Sequence, residues 1–157
     1  MNVSARIASP DDLPRLLELY RLLEAEMVAL KPLWDIAEGL PEPVDAAMAR
    51  LVDDDRATVL VGEFDGVPFG FLAGLLEELL PQAGAAQRAT VKYIFTEEAA
   101  RQVGIAEAMM GAFLEWADAH GVDHVDAHVS PGHRLAKNFF ESNGFKARHI
   151  VMYAGRK

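Results

Sequence analysis

The stretch RQVGIAEAMM, residues 101–110, sets Gly104 and Ala106 at the head of an amphipathic run. The residues before it, ATVKYIFT at 89–96, are β-branched and aromatic and read as a strand. A strand, a loop of small residues and a helix start suit an anion. The first N–H groups of a helix lack carbonyl partners, and the helix dipole leaves that end partly positive. Small side chains let a diphosphate approach the backbone. Small residues also ease a tight turn, so the spacing alone leaves both readings open. The lysine of a P-loop and the full glycine pattern of a dinucleotide-binding fold are absent.

The elements on either side extend this unit. Upstream, VSARIA at 3–8 reads as a short strand. Ser9, Pro10 and Asp12 then supply an N-cap, a proline at N1 and an acid at N3. Leu13, Leu16, Leu17, Tyr20, Leu23 and Met27 follow at helical spacing to near Lys31-Pro32. KPLWDIAEGLPEP, with three prolines, reads as an irregular loop, and VDAAMARLV at 44–52 as a short helix. ATVLVGEF and VPFGFLAGLL flank Asp65-Gly66, a strong hairpin signal. Downstream, a helix burying Ile105, Met109, Ala112, Phe113 and Trp116 ends at Gly121. VDHVDAHV reads as a strand. Ser130 and Pro131 cap a last helix that packs Leu135, Ala136, Phe139 and Phe140. ARHIVMYAG, residues 147–155, reads as a final strand. The order β-α-α-β-β-β-α-β-α-β predicts a mixed sheet covered by helices, in one α/β domain over residues 1–157.

Composition narrows the function classes. The 157 residues include no cysteine, which excludes disulfides, thiolate metal sites and an acyl-cysteine route. The net charge of −9 is uneven: residues 1–66 hold 14 acids and 6 bases, residues 67–157 hold 10 and 9. An acidic chain without a basic stripe argues against nucleic acid as a partner. The acidic half reads as a solubilising surface, or more sharply as a field that draws cationic small molecules. The N-terminus lacks the apolar core of a signal peptide, and the longest apolar run is too short to span a bilayer. The expectation is a cytoplasmic protein with no membrane partner.

Residues 101–106 match the pattern Gln/Arg-x-x-Gly-x-Gly/Ala, and Ala136, Phe139, Phe140, Glu141, Gly144 and Phe145 match Ala-x-x-hydrophobic-aromatic-Glu-x-x-Gly-Phe. In these two motifs, and in its element order, the chain resembles the GNAT family of N-acetyltransferases. The resemblance implies a mostly antiparallel twisted sheet and acetyl-CoA as cosubstrate, with no metal. It implies that the backbone of Gln102, Val103, Gly104, Ile105, Ala106 and Glu107 holds the diphosphate, with Arg101 adding charge nearby. It implies that Ile94, Phe95 and Thr96 bond the pantetheine arm as a neighbouring strand would. His133 stands where many members have a cofactor-contacting asparagine. Phe140 stands where many have a tyrosine that protonates the leaving thiolate. A homodimer follows by family analogy alone.

Acyl transfer to an amine needs a proton acceptor, a donor to the developing oxyanion and a stabilised thiolate. A backbone N–H near Thr96 is expected to serve the oxyanion. His124, Asp126 and His128 share one face of their strand. His128 occupies a place where some family members carry a glutamate base, and Asp126 lies two residues earlier. An imidazole suits a proton relay at neutral pH. Trp34, Asp35, Glu38 and Glu42 lie on the loop that walls the acceptor site in the family. Read singly, Trp34 is a core plug and the acids are solvated. The acceptor is a small-molecule or peptide amine, not named by the sequence. The leading reading is an acetyltransferase acting by direct transfer. The alternative is a non-catalytic acyl-CoA-binding or sensing module, and a third is a plain interaction domain.

Overall fold

In the computed structural model, which describes residues 2–157, five strands form one open sheet in the order β1-β2-β3-β4-β5. β1 (Val3–Ile7), β2 (Ala57–Phe64), β3 (Val67–Glu78) and β4 (Gln87–Thr96) pair antiparallel in turn, and β5 (His124–Ala127) lies parallel to β4. The β2–β3 hairpin turns on Asp65 and Gly66 with φ of 49° and 80°, the two positive values a type I′ turn needs.

Helices α1 (Leu13–Leu30), α2 (Trp34–Ala37) and α3 (Val44–Asp53) cover one face. Their core centres on Leu16, Leu19, Tyr20 and Met48 over Val59, Val61 and Phe71. α4 (Ile105–Ala119) and α5 (Arg134–Ser142) cover the other, burying Ile105, Met109, Phe113 and Phe140 against Leu60, Leu72 and Val91. α4 sits directly on the hairpin because the strands beneath it are glycine there. A Cβ on Gly62 would come within 2.5 Å of Ile105 Cγ2, and one on Gly74 would collide with the Phe113 ring.

Three expectations are corrected. Residues 145–157 form no strand: among the described residues no β-strand pairs with them, and residues 146–157 are all exposed. The last helix starts at Arg134, with His133 as its N-cap, three residues beyond the expected cap, and Leu135 is 57% exposed rather than packed. The proline-rich loop holds the short helix α2, which turns Trp34 inward. There Trp34 packs against Tyr20 and Tyr93, with ring centroids 6.3 and 6.0 Å away. The first helix starts as expected, through a single 3-10 turn. The Asp12 carboxylate accepts from the Ser9 backbone N–H at 2.8 Å and takes a two-pronged contact from Arg6, both at 2.8 Å.

The Arg6 hydrogen bonds chiefly, opposed by burial and aided by Ser9, lower the Asp12 pKa from 3.8 to about 2. A carboxyl with a depressed folded-state pKa stabilises above its unfolded value and loses that stabilisation as pH falls through the folded one. Asp12→Asn is therefore expected to cost about 1 kcal/mol at neutral pH, discounted because Arg6 is partly solvated. The difference in Tm from wild type should shrink between about pH 4 and pH 2; a gap that stays constant over that window would show that Asp12 acts uncharged.

Candidate functional site

The β3–β4 register slips once. Ala73 pairs with Tyr93 and Gly74 with Val91, so Lys92 is an extra residue and β4 carries a bulge. The pairing of β4 with β5 stops at the same place. It runs from Arg88↔His124 to Val91↔Ala127, and the last tie is the His128 N–H donating to the Val91 carbonyl at 3.0 Å. Beyond the bulge, residues 93–96 keep β3 on one side and no strand on the other, among the described residues. The two strands therefore splay, and Ile94, Phe95 and Thr96 border the gap.

The loop that leaves β4 ends in the expected helix head. Gln102 and Gly104 have positive φ, 69° and 100°, and Gly104 is the N-cap of α4. The space in front of it is open: a Cβ there would meet only Val3 Cγ1, at 4.0 Å. Gln102, Val103 and Glu107 are exposed, Ala106 is half-buried and Ile105 anchors the helix in the core. A free helix N-terminus of 15 residues beside an unpaired strand edge fits a diphosphate and an extended arm. Ile105 holds the loop in place from beneath rather than lining it.

Arg101 turns the other way. Its Nε donates to the Thr96 carbonyl at 2.8 Å, its guanidinium lies 5.5 Å from the Phe95 ring centroid, and a terminal nitrogen donates to Glu26 Oε1 at 2.7 Å. The other carboxylate oxygen of Glu26 lies 3.3 Å from His133 Nε2, without hydrogen-bonding alignment, and is buried. Burial pushes the His133 pKa below its ordinary value; Glu26 opposes this and Arg101 adds to it. Glu26 thus ties α1 to the segments that follow both splayed strands. A cleft of about 420 Å³ opens beside it, between the end of α1 and the start of α5.

On the face of the sheet that carries α1, past the ends of the helices, lies a second polar cluster. Glu77 accepts from Thr90 Oγ1 at 2.6 Å and from Arg88 Nε at 3.2 Å, and Lys92 Nζ lies 3.6 Å from it. Burial would raise the Glu77 pKa, but Thr90, Lys92 and Arg88 together hold it below the usual carboxylate range. Asp126 bonds Arg148 through both oxygens, and Arg88 Nη1 lies 3.8 Å away. The Arg148 hydrogen bonds, against burial, keep Asp126 ionised to lower pH than usual. His128 has no such partner. Partial desolvation first, then Lys92, lower its pKa, while Glu77 and Asp126 pull the other way. The imidazole is neutral and open to solvent, beside the point where β4 and β5 part.

Phe140 is 3% exposed and packs edge-to-face against both Phe139 and Phe145, with centroids 5.2 Å from each. It is a core aromatic. Trp34 is 6% exposed and closed off from any ligand, whereas Asp35, Glu38 and Glu42 face solvent. Glu26 and Glu77 were not singled out by the sequence reading. Each had a signal: Glu26 is an acid beside Leu23 and Met27 on the buried stripe of α1, and Glu77 continues the inward alternation of Ala73 and Leu75.

Solved structures share this architecture. The chain matches a tetramutant of BH1408 protein from Bacillus halodurans at 22% identity and TM-score 0.81, covering 99% of this chain and 100% of that one. It matches AAC(6')-Iy, solved in complex with a bisubstrate analog, CoA-S-monomethyl-acetylneamine, at 18% identity and TM-score 0.74, over 100% of both chains. It matches a putative acetyltransferase from Agrobacterium tumefaciens at 25% identity and TM-score 0.71, covering 98% and 99%. No curated protein sequence matches the chain. The model of the Acetyltransferase (GNAT) family matches residues 16–145, which take in the hairpin, the bulged β4, the helix head and α5, so this chain belongs to the GNAT family.

Proposed function

We propose that the chain is an N-acetyltransferase that moves an acetyl group from acetyl-CoA directly to the primary amine of a cationic small molecule. The observation that carries this reading is the gap between β4 and β5, with an open helix N-terminus at one end and a neutral imidazole at the other. The N–H groups at residues 102–107 hold the diphosphate, and the free edge of residues 94–96 takes the pantetheine arm. Bound acetyl-CoA supplies an activated acyl group as its thioester.

The chain's own residues then manage protons. A primary amine has a pKa near ~10, so about one molecule in a thousand is unprotonated at neutral pH. His128 takes the proton as the C–N bond forms and the C–S bond breaks. The same proton then returns to the leaving thiolate or passes to water, which reaches His128 freely. Asp126 is a poor base because Arg148 lowers its pKa; its place in the site is to hold Arg148 against β5. Phe140 offers no proton. The bulge at Lys92 frees backbone groups at the point of splay, which suits a backbone N–H donor to the developing oxyanion there.

The net charge of −9 and the exposed Asp35, Glu38 and Glu42 support a cationic acceptor. AAC(6')-Iy in its complex with a CoA-linked aminoglycoside analog is consistent with this class. Among the described residues, no helix is long and apolar enough to cross a membrane. A buried Phe140 and a half-buried His133 beside Glu26 favour the second reading, an acyl-CoA sensor.

Release of free CoA thiol from acetyl-CoA, followed across polyamines, aminoglycosides, amino acids and peptides, tests the proposal. Turnover above the hydrolytic background with at least one polycationic amine is the expected result. Micromolar binding of CoA by calorimetry with no turnover on any amine would establish the sensor instead.

A further inference from the structure

The bulge in β4 redirects side chains as well as backbone groups. In an unbroken strand neighbouring side chains alternate, so only one of two would face α1. The extra residue breaks that alternation. Lys92 reaches Glu77 on the α1 face of the sheet. Tyr93, paired with Ala73, packs into the core under α1 and α2. Both side chains therefore leave β4 on one face, at the point where β5 parts from it. Lys92 joins the polar cluster near His128, whereas Tyr93 points towards the turn that follows α2.

The Tyr93 ring meets Tyr20 and Trp34 edge-on, with centroids 5.9 and 6.0 Å away. Its hydroxyl donates to the Glu38 carbonyl at 2.8 Å. Two residues further on, the Leu40 N–H donates to the Tyr20 hydroxyl at 2.7 Å. Between them stands Gly39, where a Cβ would come within 2.8 Å of both the Tyr20 hydroxyl and the Asp35 carbonyl. Residues 38–40 are thus clamped by two tyrosines, one from α1 and one from β4. Among the described residues, the Tyr93 hydroxyl makes the one hydrogen bond between β4 and residues 31–43.

A phenol at the point of splay could act in two ways, as a proton donor or as a strut. The geometry favours the strut. The hydroxyl proton is committed to the Glu38 carbonyl, and burial first, then Tyr20 and Glu38, push the Tyr93 pKa far above its ordinary value. What the side chain fixes is a distance. Its backbone follows the bulge, and its tip holds a turn on which Asp35 and Glu38 are exposed.

We propose that Tyr93 is a positioning residue for the amine: it holds the 38–40 turn at a set height before the gap between β4 and β5, so that an acceptor resting on that turn meets the acyl carbon. The inference rests on the catalytic reading above.

The test is steady-state kinetics of Tyr93→Phe with an amine that the wild-type enzyme turns over. The substitution removes the strut and keeps the ring. The KM for the amine should rise about tenfold, while that for acetyl-CoA stays within about twofold. The acid limb assigned to His128 should not move. Gly39→Ala, which displaces the same turn with Tyr93 intact, should give the same split and guards against a packing defect particular to Tyr93→Phe. A lower Tm with both KM values unchanged overturns the proposal, because the tyrosine is then structural only. A fall in kcat with the amine KM unchanged also overturns it and makes Tyr93 a proton donor. A wild-type chain that turns over no amine is a different failure, in which the catalytic reading falls and this inference with it.

Discussion

CoA binding is expected to fall at least about 100-fold when Gly104 is replaced by glutamate, and only slightly when it is replaced by alanine. Both substitutions put a side chain on a residue with φ of 100°, so both strain the backbone and cost about 1 kcal/mol of stability. They differ in what they place before the helix head. The space there is empty to 4.0 Å, so a methyl group meets nothing, whereas a carboxylate projects into the region assigned to the diphosphate. Its charge then opposes the positive end of α4 and repels the ligand. The pair separates electrostatics from strain, because the thermal stabilities of the two variants should be close. Calorimetric titration with CoA measures the difference. Equal affinities for the two variants would refute the assignment of this helix head to the diphosphate.

The second large effect is at His128. Loss of a general base costs ~10²–10⁴ in rate, so His128→Ala is expected to lower kcat by that order with little change in acetyl-CoA affinity. The pH dependence gives a sharper readout. A base must be unprotonated to act, and partial desolvation with Lys92 nearby lowers the His128 pKa. The acid limb of kcat/KM should therefore lie below the ordinary imidazole value of about 6.5, and it should vanish in His128→Ala. In Lys92→Met the limb should move up, because the removed ammonium opposes protonation of the ring. Wild-type turnover in His128→Ala with its acid limb intact would move the role to Glu77 or to a bound water.

The parts of this fold that were legible in sequence are those whose signal is local. Helical spacing from Leu13 to Met27, the Asp65-Gly66 turn and the small residues before α4 each act through the backbone of their own segment. The final strand was misread because a strand is a property of a pair. Residues 147–155 have the right alternation, but within one chain they have no neighbour. Glu26 and Glu77 escaped notice for a related reason. Nothing in EAEM or LLEELL says that Arg101 and His133, or Thr90 and Lys92, will arrive from distant parts of the chain. Arg101 shows the converse. Its motif position was legible, but in the structure its side chain is satisfied by Thr96, Phe95 and Glu26.

The glycines beneath α4 set the height of a shelf. Ile105 begins the helix whose head faces the proposed diphosphate site, and the same residue rests on Gly62 with no room for a methyl group between them. The elevation of the loop above the sheet is thus determined by the strand beneath the helix, in the hairpin rather than in the loop. A substitution at Gly62 would tilt the shelf and misalign the loop with the gap between β4 and β5, though it touches neither. Variation among relatives in how they grip the cofactor can therefore arise in the hairpin, in residues that a survey of the pocket lining would pass over.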